Sequence, residues 1–271
     1  MPGCVIFTDL DGTLLDHHDY DYSPALPALA ELKRAGVPLV LTSSKTRPEI
    51  EALRAELENH DPFIVENGGA IFIPALSPLP LPDATIYMDD YRVIVLGRSL
   101  EELAPAFDKL AGTFHLRALS RLAPEEIARL TGLTLAQARA ARARQFGEGL
   151  VLDDPGVGEL DLARMVESLG LRLTRGGRFY HLMGDNDKGL AVKILSGLYR
   201  KNDPGLLTAA IGDAPNDFPM LAAVDRPFLV AGPDGSHRRL DLPGLNRVPF
   251  SGPAGFNRAV LTFLEEARSQ P

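Results

Sequence analysis

Short apolar runs alternate with longer amphipathic stretches at both ends of this 271-residue chain. A short apolar run bounded by turn residues is typical of a strand buried in a parallel sheet, whereas apolar residues at helical spacing are typical of a helix. The predicted strands are 4–6, 37–41, 63–65, 206–211 and 228–230, and the predicted helices are 25–35, 49–57, 190–198, 219–223 and 256–266. Strands that alternate with helices predict an α/β core with a Rossmann-like parallel sheet.

The middle of the chain has a different pattern. The proline-rich run 74–82 lacks the backbone donors that a central strand needs, so we expect a linker there. Beyond it, short strands, of which 91–96 is the first, mix with helices and end in a hairpin over 171–183. The sequence therefore predicts a core formed by residues 1–82 and 184–271, with an α+β cap domain inserted at 83–183.

Two carboxylates follow the first predicted strand, at the edge where open α/β sheets bind their ligands. Extended backbone sends residues i and i+2 to the same side, so Asp9 and Asp11 can face one small volume while Gly12 lets the chain turn. Such a pair must share a cation or a proton. Taken alone, however, it also occurs as an acidic turn that caps a strand.

Further loops carry groups suited to an anion. Residues 42–47 combine hydroxyl groups with two cations just before a helix, which suits a phosphate cradle as well as an ordinary helix N-cap. Lys188 opens a helix, where its charge opposes the helix dipole and therefore indicates a nearby anion. Glu-Asn-Gly at 66–68 predicts a hairpin turn. Arg144, with two other arginines on its predicted helix, is expected to face solvent.

Composition narrows the classes of function. A net charge of −8 and the absence of a basic run argue against a nucleic-acid-binding surface. No leader-like amino terminus and no long apolar stretch are present, so we expect a cytoplasmic protein without a membrane partner. The single cysteine, Cys4, excludes an internal disulfide and is expected to be a buried structural thiol. The absence of Trp and the 22 prolines suit a thermophilic or a high-GC source, and the oligomeric state is left open.

The segment Asp-Leu-Asp-Gly-Thr-Leu at 9–14 resembles the first motif of the haloacid dehalogenase (HAD) superfamily. Ser43, Lys188 and the segment 213–217 match the next three motifs of that superfamily, in the same order. The resemblance implies a Mg²⁺-dependent phosphatase in which Asp9 is the nucleophile and Asp11 is the acid and base. The implied catalytic residues are Asp9, Asp11, Ser43 and Lys188, the implied metal ligands are Asp9, Asp11 and Asp213, and the implied supporting residues are Thr13 and Asp217.

The Glu-Asn-Gly segment and the inserted cap resemble the sugar-phosphatase branch of the superfamily. Within that branch, segments 8–17, 42–47, 62–68 and 179–184 are most similar to the mannosyl-3-phosphoglycerate phosphatase family. This resemblance implies a small phosphorylated sugar-glycerate substrate, mannosyl or also glucosyl, used in compatible-solute synthesis. The implied substrate-binding residues are Ser44, Lys45, Asn67, Gln145, Glu148, Arg178, His181 and Asn216. The cap segment 144–149 departs from the family pattern.

Two alternatives have different chemistry. A generic sugar phosphatase or a phosphosugar mutase would share the four motifs, because the cap decides the substrate. A receiver-like protein would keep its phospho-aspartate as a signal. Asp11, which supplies a base to hydrolyse the acyl phosphate, and a cap of this size both argue against the receiver.

Overall fold

The computed structural model describes residues 3–82, 84–152, 158–176 and 179–269. Its strands are β1 (Cys4–Thr8), β2 (Leu39–Thr42), β3 (Phe63–Val65), β4 (Ala70–Pro74), β5 (Ile86–Met88), β6 (Tyr91–Val95), β7 (Leu116–Ala118), β8 (Glu148–Leu152), β9 (Arg172–Gly176), β10 (Phe179–Met183), β11 (Leu207–Gly212), β12 (Arg226–Ala231) and β13 (Asn246–Ser251). Its helices are α1 (Leu26–Ala35), α2 (Arg47–Leu57), α3 (Leu100–Ala111), α4 (Pro124–Thr131), α5 (Leu135–Arg142), α6 (Glu159–Ser168), α7 (Lys188–Asn202), α8 (Phe218–Leu221) and α9 (Gly252–Ser269).

The larger sheet has the strand order β13-β12-β11-β1-β2-β3-β4-β6-β5. The strands from β13 to β3 run parallel, and β4, β6 and β5 continue the sheet in antiparallel pairs. We call this sheet with its helices the core. The predicted α/β fold with a parallel sheet is thereby confirmed, and the carboxyl ends of β1, β2, β3 and β11 lie at one edge.

Both faces of the parallel part of the sheet are covered. Along β1, Ile6 points into a layer with α1, α2 and α9, whereas Val5 and Phe7 point into a layer with α7 and α8. All three side chains are fully buried. A strand buried on both faces must be apolar at every position, which explains the uninterrupted apolar run that predicts it.

The smaller sheet has the order β7-β8-β10-β9, and all its pairs are antiparallel. Helices α3 and α6 bury Phe107 and Leu162 against one side of it, while α4 and α5 contribute Ile127 and Ala138 to a separate small cluster. We call this part, from α3 to β10, the cap. The second, α+β unit of the predicted fold class is therefore present.

Two strands do not follow the boundary predicted at residue 83. β5 and β6 pair with β4 in the larger sheet, and Val93 of β6 is fully buried in the core. Pro74, expected to start a linker, is instead the last residue of β4 and faces Tyr91. We therefore propose a boundary near Arg98. The chain returns at Gly184, beside the same residue, because a β carbon at position 184 would lie 3.0 Å from Arg98 Cγ.

Other differences from the sequence-based elements are local. α7 begins at Lys188 and extends to Asn202, further at both ends than the predicted 190–198. β13 was not predicted, because Asn246–Ser251 exposes most of its side chains and lies at the sheet edge. Among the described residues, no helix is long and apolar enough to cross a membrane.

The start of α7 lies so close to α8 that only glycine fits at one position. A β carbon on Gly189 would lie 2.3 Å from the carbonyl oxygen of Pro219. In the same helix, a β carbon on Gly197 would meet no described atom within 4 Å. The two glycines therefore serve as a matched pair.

We expect Gly189→Ala to destabilise the fold by about 1–3 kcal/mol, because the added methyl group overpacks a backbone contact. Gly197→Ala should instead stabilise it by about 0.5–1 kcal/mol, because alanine is the better helix former. Urea denaturation of both variants measures the two effects. Similar effects of both substitutions would show that α7 and α8 are not in tight contact.

Candidate active site

The predicted site residues come from loops at the carboxyl edge of the parallel strands. Asp9 follows β1, Ser43 follows β2, Asn67 follows β3 and Asp213 follows β11. Parallel strands bring their carboxyl ends to one edge, so residues far apart in sequence become neighbours there. The start of α7 enters the same region with Lys188.

Lys188 is the centre of this arrangement. Its ammonium group has no solvent exposure and lies 2.5 Å from Asp9 Oδ1 and 2.6 Å from Asp217 Oδ1. Asp187 caps α7 by accepting a hydrogen bond from Leu190 N at 2.8 Å, which fixes where the helix begins. Burial alone would lower the pKa of Lys188, but Asp217 and Asp9 outweigh it and hold that pKa above its ordinary value. The amine therefore stays charged.

Three carboxylates form a compact cluster. Asp9, Asp213 and Asp217 each place one oxygen within 4.8 Å of the others. Burial, followed by repulsion from Asp217, raises the pKa of Asp9 well above its ordinary value. The same causes raise the pKa of Asp213 to about 7. Carboxylates held this close favour a bound proton or cation.

The loop after β11 is held by its own side chain. Asp217 Oδ2 accepts hydrogen bonds from the backbone N–H groups of Asp213 and Ala214, both at 3.1 Å. Thr13 Oγ1 donates to Asp213 Oδ1 at 3.3 Å, which connects this loop to the first motif. Thr13 thus contacts Asp213, and Asp217 contacts both Lys188 and the backbone of Asp213.

Asp11 does not join the carboxylate cluster. Its Oδ1 lies 2.9 Å from Lys45 Nζ, so the two predicted residues form an ion pair with each other. Burial alone would lower the pKa of Lys45, but Asp11 and then Glu49 raise it above its ordinary value. The structure thus brings Asp217, not the Asp11 carboxylate, next to Asp9 and Asp213.

Ser43 and Ser44 occupy different places. Ser43 is buried, and its Oγ accepts a hydrogen bond from Lys45 N at 3.2 Å. Ser44 lies under the tip of the cap, because a β carbon on Gly176 would be 3.3 Å from Ser44 Cβ and 3.1 Å from Asn216 Nδ2. The cap sheet therefore covers the loops that carry Ser44 and Asn216.

A cleft lies between the core loops and the cap. Asp11, Ser44, Lys45, Arg144 and His181 are among the residues that line it. Burial, followed by the charge of Arg144, lowers the pKa of His181 to about 3, so its imidazole is neutral. The other cleft-lining residues are His17, Tyr20, Glu49, Leu119, Thr131, Leu133, Ala141, Gly176 and Phe179.

Of the other cap residues of the prediction, Gln145 and Glu148 do not line this cleft. Gln145 is exposed, and Glu148 accepts hydrogen bonds from the backbone and the hydroxyl group of Ser120 within the cap. Arg178 lies outside the described residues. The predicted contact of these three residues with the substrate stays a prediction.

Sequence reasoning missed two residues that connect core and cap. Arg144, expected to face solvent, is only 8% exposed and donates to the carbonyl oxygens of Ser44 and Gly147. Glu66 is 1% exposed and accepts N–H hydrogen bonds from Gln145 at 2.9 Å and Phe146 at 3.0 Å. The signal for Glu66 in the sequence is the Glu-Asn-Gly segment, which predicts a hairpin turn and resembles the sugar-phosphatase branch but gives the glutamate no role of its own.

The turn that carries Glu66 is also bound to the catalytic loops. Asn67 N donates to the carbonyl oxygen of Ser43 at 2.9 Å, and its Oδ1 accepts from Asn216 Nδ2 at 3.1 Å. Glu66, Asn67 and Gly68 have φ angles of 49°, 56° and 85°. Two consecutive non-glycine residues in this region are costly, and such conformations persist where surrounding contacts enforce them.

Comparisons with known proteins agree with this geometry. A family model described as haloacid dehalogenase-like hydrolase matches residues 6–80. The chain is 40% identical to the glucosyl-3-phosphoglycerate/mannosyl-3-phosphoglycerate phosphatase of Methanococcoides burtonii, over 96% of this chain and 97% of that protein. It is 39% identical to the protein of the same name from Persephonella marina, over 97% of each. A solved structure from Thermoplasma acidophilum superimposes with a TM-score of 0.70 at 19% identity, covering 97% of this chain and 99% of that one.

We expect Glu66→Gln to loosen the junction between core and cap. The amide keeps the shape but replaces one acceptor oxygen by a donor that faces a backbone N–H group, which should cost about 1–3 kcal/mol. Hydrogen exchange at the amides of Gln145 and Phe146 should accelerate by about tenfold or more as a result. Glu167→Gln, at an exposed glutamate of α6, is the matched control. Unchanged exchange at both amides would contradict this role of Glu66.

Proposed function

The chain belongs to the haloacid dehalogenase-like hydrolases, in the family of the glucosyl-3-phosphoglycerate/mannosyl-3-phosphoglycerate phosphatases, and we propose that it hydrolyses mannosyl-3-phosphoglycerate. Glucosyl-3-phosphoglycerate is the second substrate of the proposal, and the products are the glycosylglycerate and phosphate. The observation that carries the proposal is the buried Asp9–Lys188–Asp217 arrangement beside Asp213.

Magnesium is the cofactor of the proposal. Carboxylate oxygens are the ligands that Mg²⁺ prefers, and the cluster of Asp9, Asp213 and Asp217 offers them at close range. Both oxygens of Asp217 already accept hydrogen bonds, so we expect Asp9 and Asp213 to be the side-chain ligands of Mg²⁺. When bound, Mg²⁺ would neutralise charge on the phosphoryl oxygens.

The residues of the chain divide the reaction between them. An oxygen of Asp9 attacks phosphorus, the bond from phosphorus to the glycerate oxygen breaks, and an aspartyl-phosphate forms. Asp11 gives a proton to the departing oxygen and then takes one from the water that hydrolyses the acyl phosphate. The second step restores Asp9 and releases inorganic phosphate, so protons and bonds balance over the cycle.

The positive charge of Lys188 favours this chemistry in two ways. It lowers the pKa of Asp9 against the effect of burial and so favours the ionised nucleophile, and it lies beside the position where negative charge gathers on the phosphoryl group. Ser43 and Asn216 supply further donors for the phosphoryl oxygens, with Ser44 and Asn67 next to them. Preorganised donors of this kind need no rearrangement when charge develops, which is why they lower the barrier.

The function is tested with Asp9→Asn and a panel of phosphate esters. We expect the wild-type protein with Mg²⁺ to release phosphate fastest from mannosyl- and glucosyl-3-phosphoglycerate. Asp9→Asn should lower kcat by about 10³-fold or more, because the amide keeps the shape but is not a nucleophile. Its Tm should not fall strongly, since burial already disfavours the charged form of Asp9. Activity retained within about tenfold would exclude Asp9 as the nucleophile.

The metal is tested by thermal unfolding at two pH values. Because the pKa of Asp213 is about 7, the folded chain binds this proton more tightly than the unfolded chain does. The metal-free fold therefore loses stability as the pH rises from about 4 to about 7. Ionised Asp213 is also the form that can bind a cation, so Mg²⁺ should raise Tm little at pH 5.5 and by about 5 °C at pH 8 when its concentration is near 100 times Kd.

Asp213→Asn is the control for this experiment. It removes the ionisable group and should lose most of the Mg²⁺-dependent rise in Tm at pH 8. A rise of equal size at both pH values, or one that persists in Asp213→Asn, would contradict the assignment of Asp213 as a ligand.

A further inference from the structure

Lys45 and Asp11 face each other at the floor of the cleft. The Lys45 side chain is 16% exposed and that of Asp11 is 21% exposed, and their charged atoms are 2.9 Å apart. The ammonium also lies 4.8 Å from the centre of the Tyr20 ring, which limits the directions it can take. In this ion pair, Asp11 is the acid and base of the proposed reaction, and Lys45 is a cation that a substrate can reach.

Other cations near the cleft are already engaged. Arg144 donates to two backbone carbonyl groups and lies 3.7 Å from the Glu66 carboxylate. Lys188 is enclosed between Asp9 and Asp217, and the imidazole of His181 is neutral. Among the described residues that line the cleft, Lys45 is thus the partly exposed cation that pairs with a reacting group, Asp11.

The chemistry of a 3-phosphoglycerate ester suits this geometry. One carbon separates its phosphate-bearing carbon from its carboxylate. Asp11 must lie within hydrogen-bonding distance of the departing oxygen to transfer a proton to it. An ammonium group in contact with Asp11 then lies within reach of the carboxylate of the same substrate.

We propose that Lys45 selects substrates by exchanging its contact with Asp11 for a contact with the substrate carboxylate. The proposal rests on the proposed function, because it assumes a phosphoglycerate ester in the cleft. Once Lys45 binds that carboxylate, the released Asp11 carboxylate takes a proton from water and turns to the departing oxygen, to which it donates that proton. An ester without a carboxylate leaves Lys45 bound to Asp11. Such an ester binds less tightly because it lacks the contact with Lys45, and it is hydrolysed more slowly because Asp11 stays paired.

The test compares mannosyl-3-phosphoglycerate with its carboxylate methyl ester, which lacks that charge and adds one methyl group. We expect the wild-type protein to prefer the free acid by about 100-fold or more in kcat/KM, with contributions from both kcat and KM. Lys45→Met, which keeps the length of the side chain but removes its charge, should reduce this preference to about tenfold or less. Lys45→Arg should restore part of it.

A second measurement needs no turnover of either ester. D-Glycerate carries the carboxylate without the phosphate, and it should inhibit hydrolysis of p-nitrophenyl phosphate at least about tenfold more weakly in Lys45→Met than in the wild-type protein. Lys33→Met, at an exposed lysine that pairs with Glu58 on the surface, is the matched control and should leave the preference and the inhibition unchanged.

The outcomes separate this inference from the proposed function. If Lys45→Met slows hydrolysis of the acid and of the methyl ester by the same factor, Lys45 only holds Asp11 in place. The proposed exchange of its contact is then wrong. If the wild-type protein hydrolyses neither glycosyl ester but does hydrolyse small phosphate esters, the proposed function fails. In that case the test uses 3-phosphoglycerate, which has a carboxylate, and glycerol 3-phosphate, which has none. An equal loss of kcat/KM on both substrates in Lys45→Met overturns the role of Lys45.

Discussion

The buried ammonium of Lys188 is the charge around which the rest of the site is organised. An ammonium group without solvent is costly unless it is paired and hydrogen-bonded, and here two carboxylates from different parts of the chain compensate it. That requirement fixes the start of α7 beside β1 and beside the loop after β11. It also explains why the backbone of α7 approaches α8 so closely at Gly189. The core sheet brings the loops to one edge, and the ion pairs of Lys188 with Asp9 and Asp217 fix the arrangement of the side chains there.

A second constraint ties the chemistry to the cap. The turn at Glu66 contacts the loop with Ser43, the loop with Asn216 and the backbone of the cap at Gln145. Making these contacts from one short segment requires left-handed backbone at Glu66 and Asn67, which raises the free energy of the turn. A movement of the cap therefore also affects the loops that carry Ser43 and Asn216.

Much of this arrangement could be predicted from local sequence. Asp9 stands after a strongly apolar strand, and a lysine in the first turn of a helix indicates an anion, so the local sequence predicts Asp9 and Lys188. Asp213 is predicted from the resemblance to the fourth motif of the superfamily. Glu66 and Arg144 were not found, because the partners that bury them lie about 80 and 100 residues away. The strand predicted at 91–96 was placed in the cap although β6 pairs with β4 of the core, because the pattern of a strand does not say which neighbour it pairs with.

The two points where the chain crosses between core and cap lie side by side, at Arg98 and Gly184. An insertion whose ends meet can be replaced by another of different length and shape without moving the scaffold that receives it. Recombination can therefore exchange the cap of such a protein only if the new cap again offers the two backbone N–H groups that Glu66 binds. The core thus limits which insertions it can accept, although the crossing points themselves would allow any length.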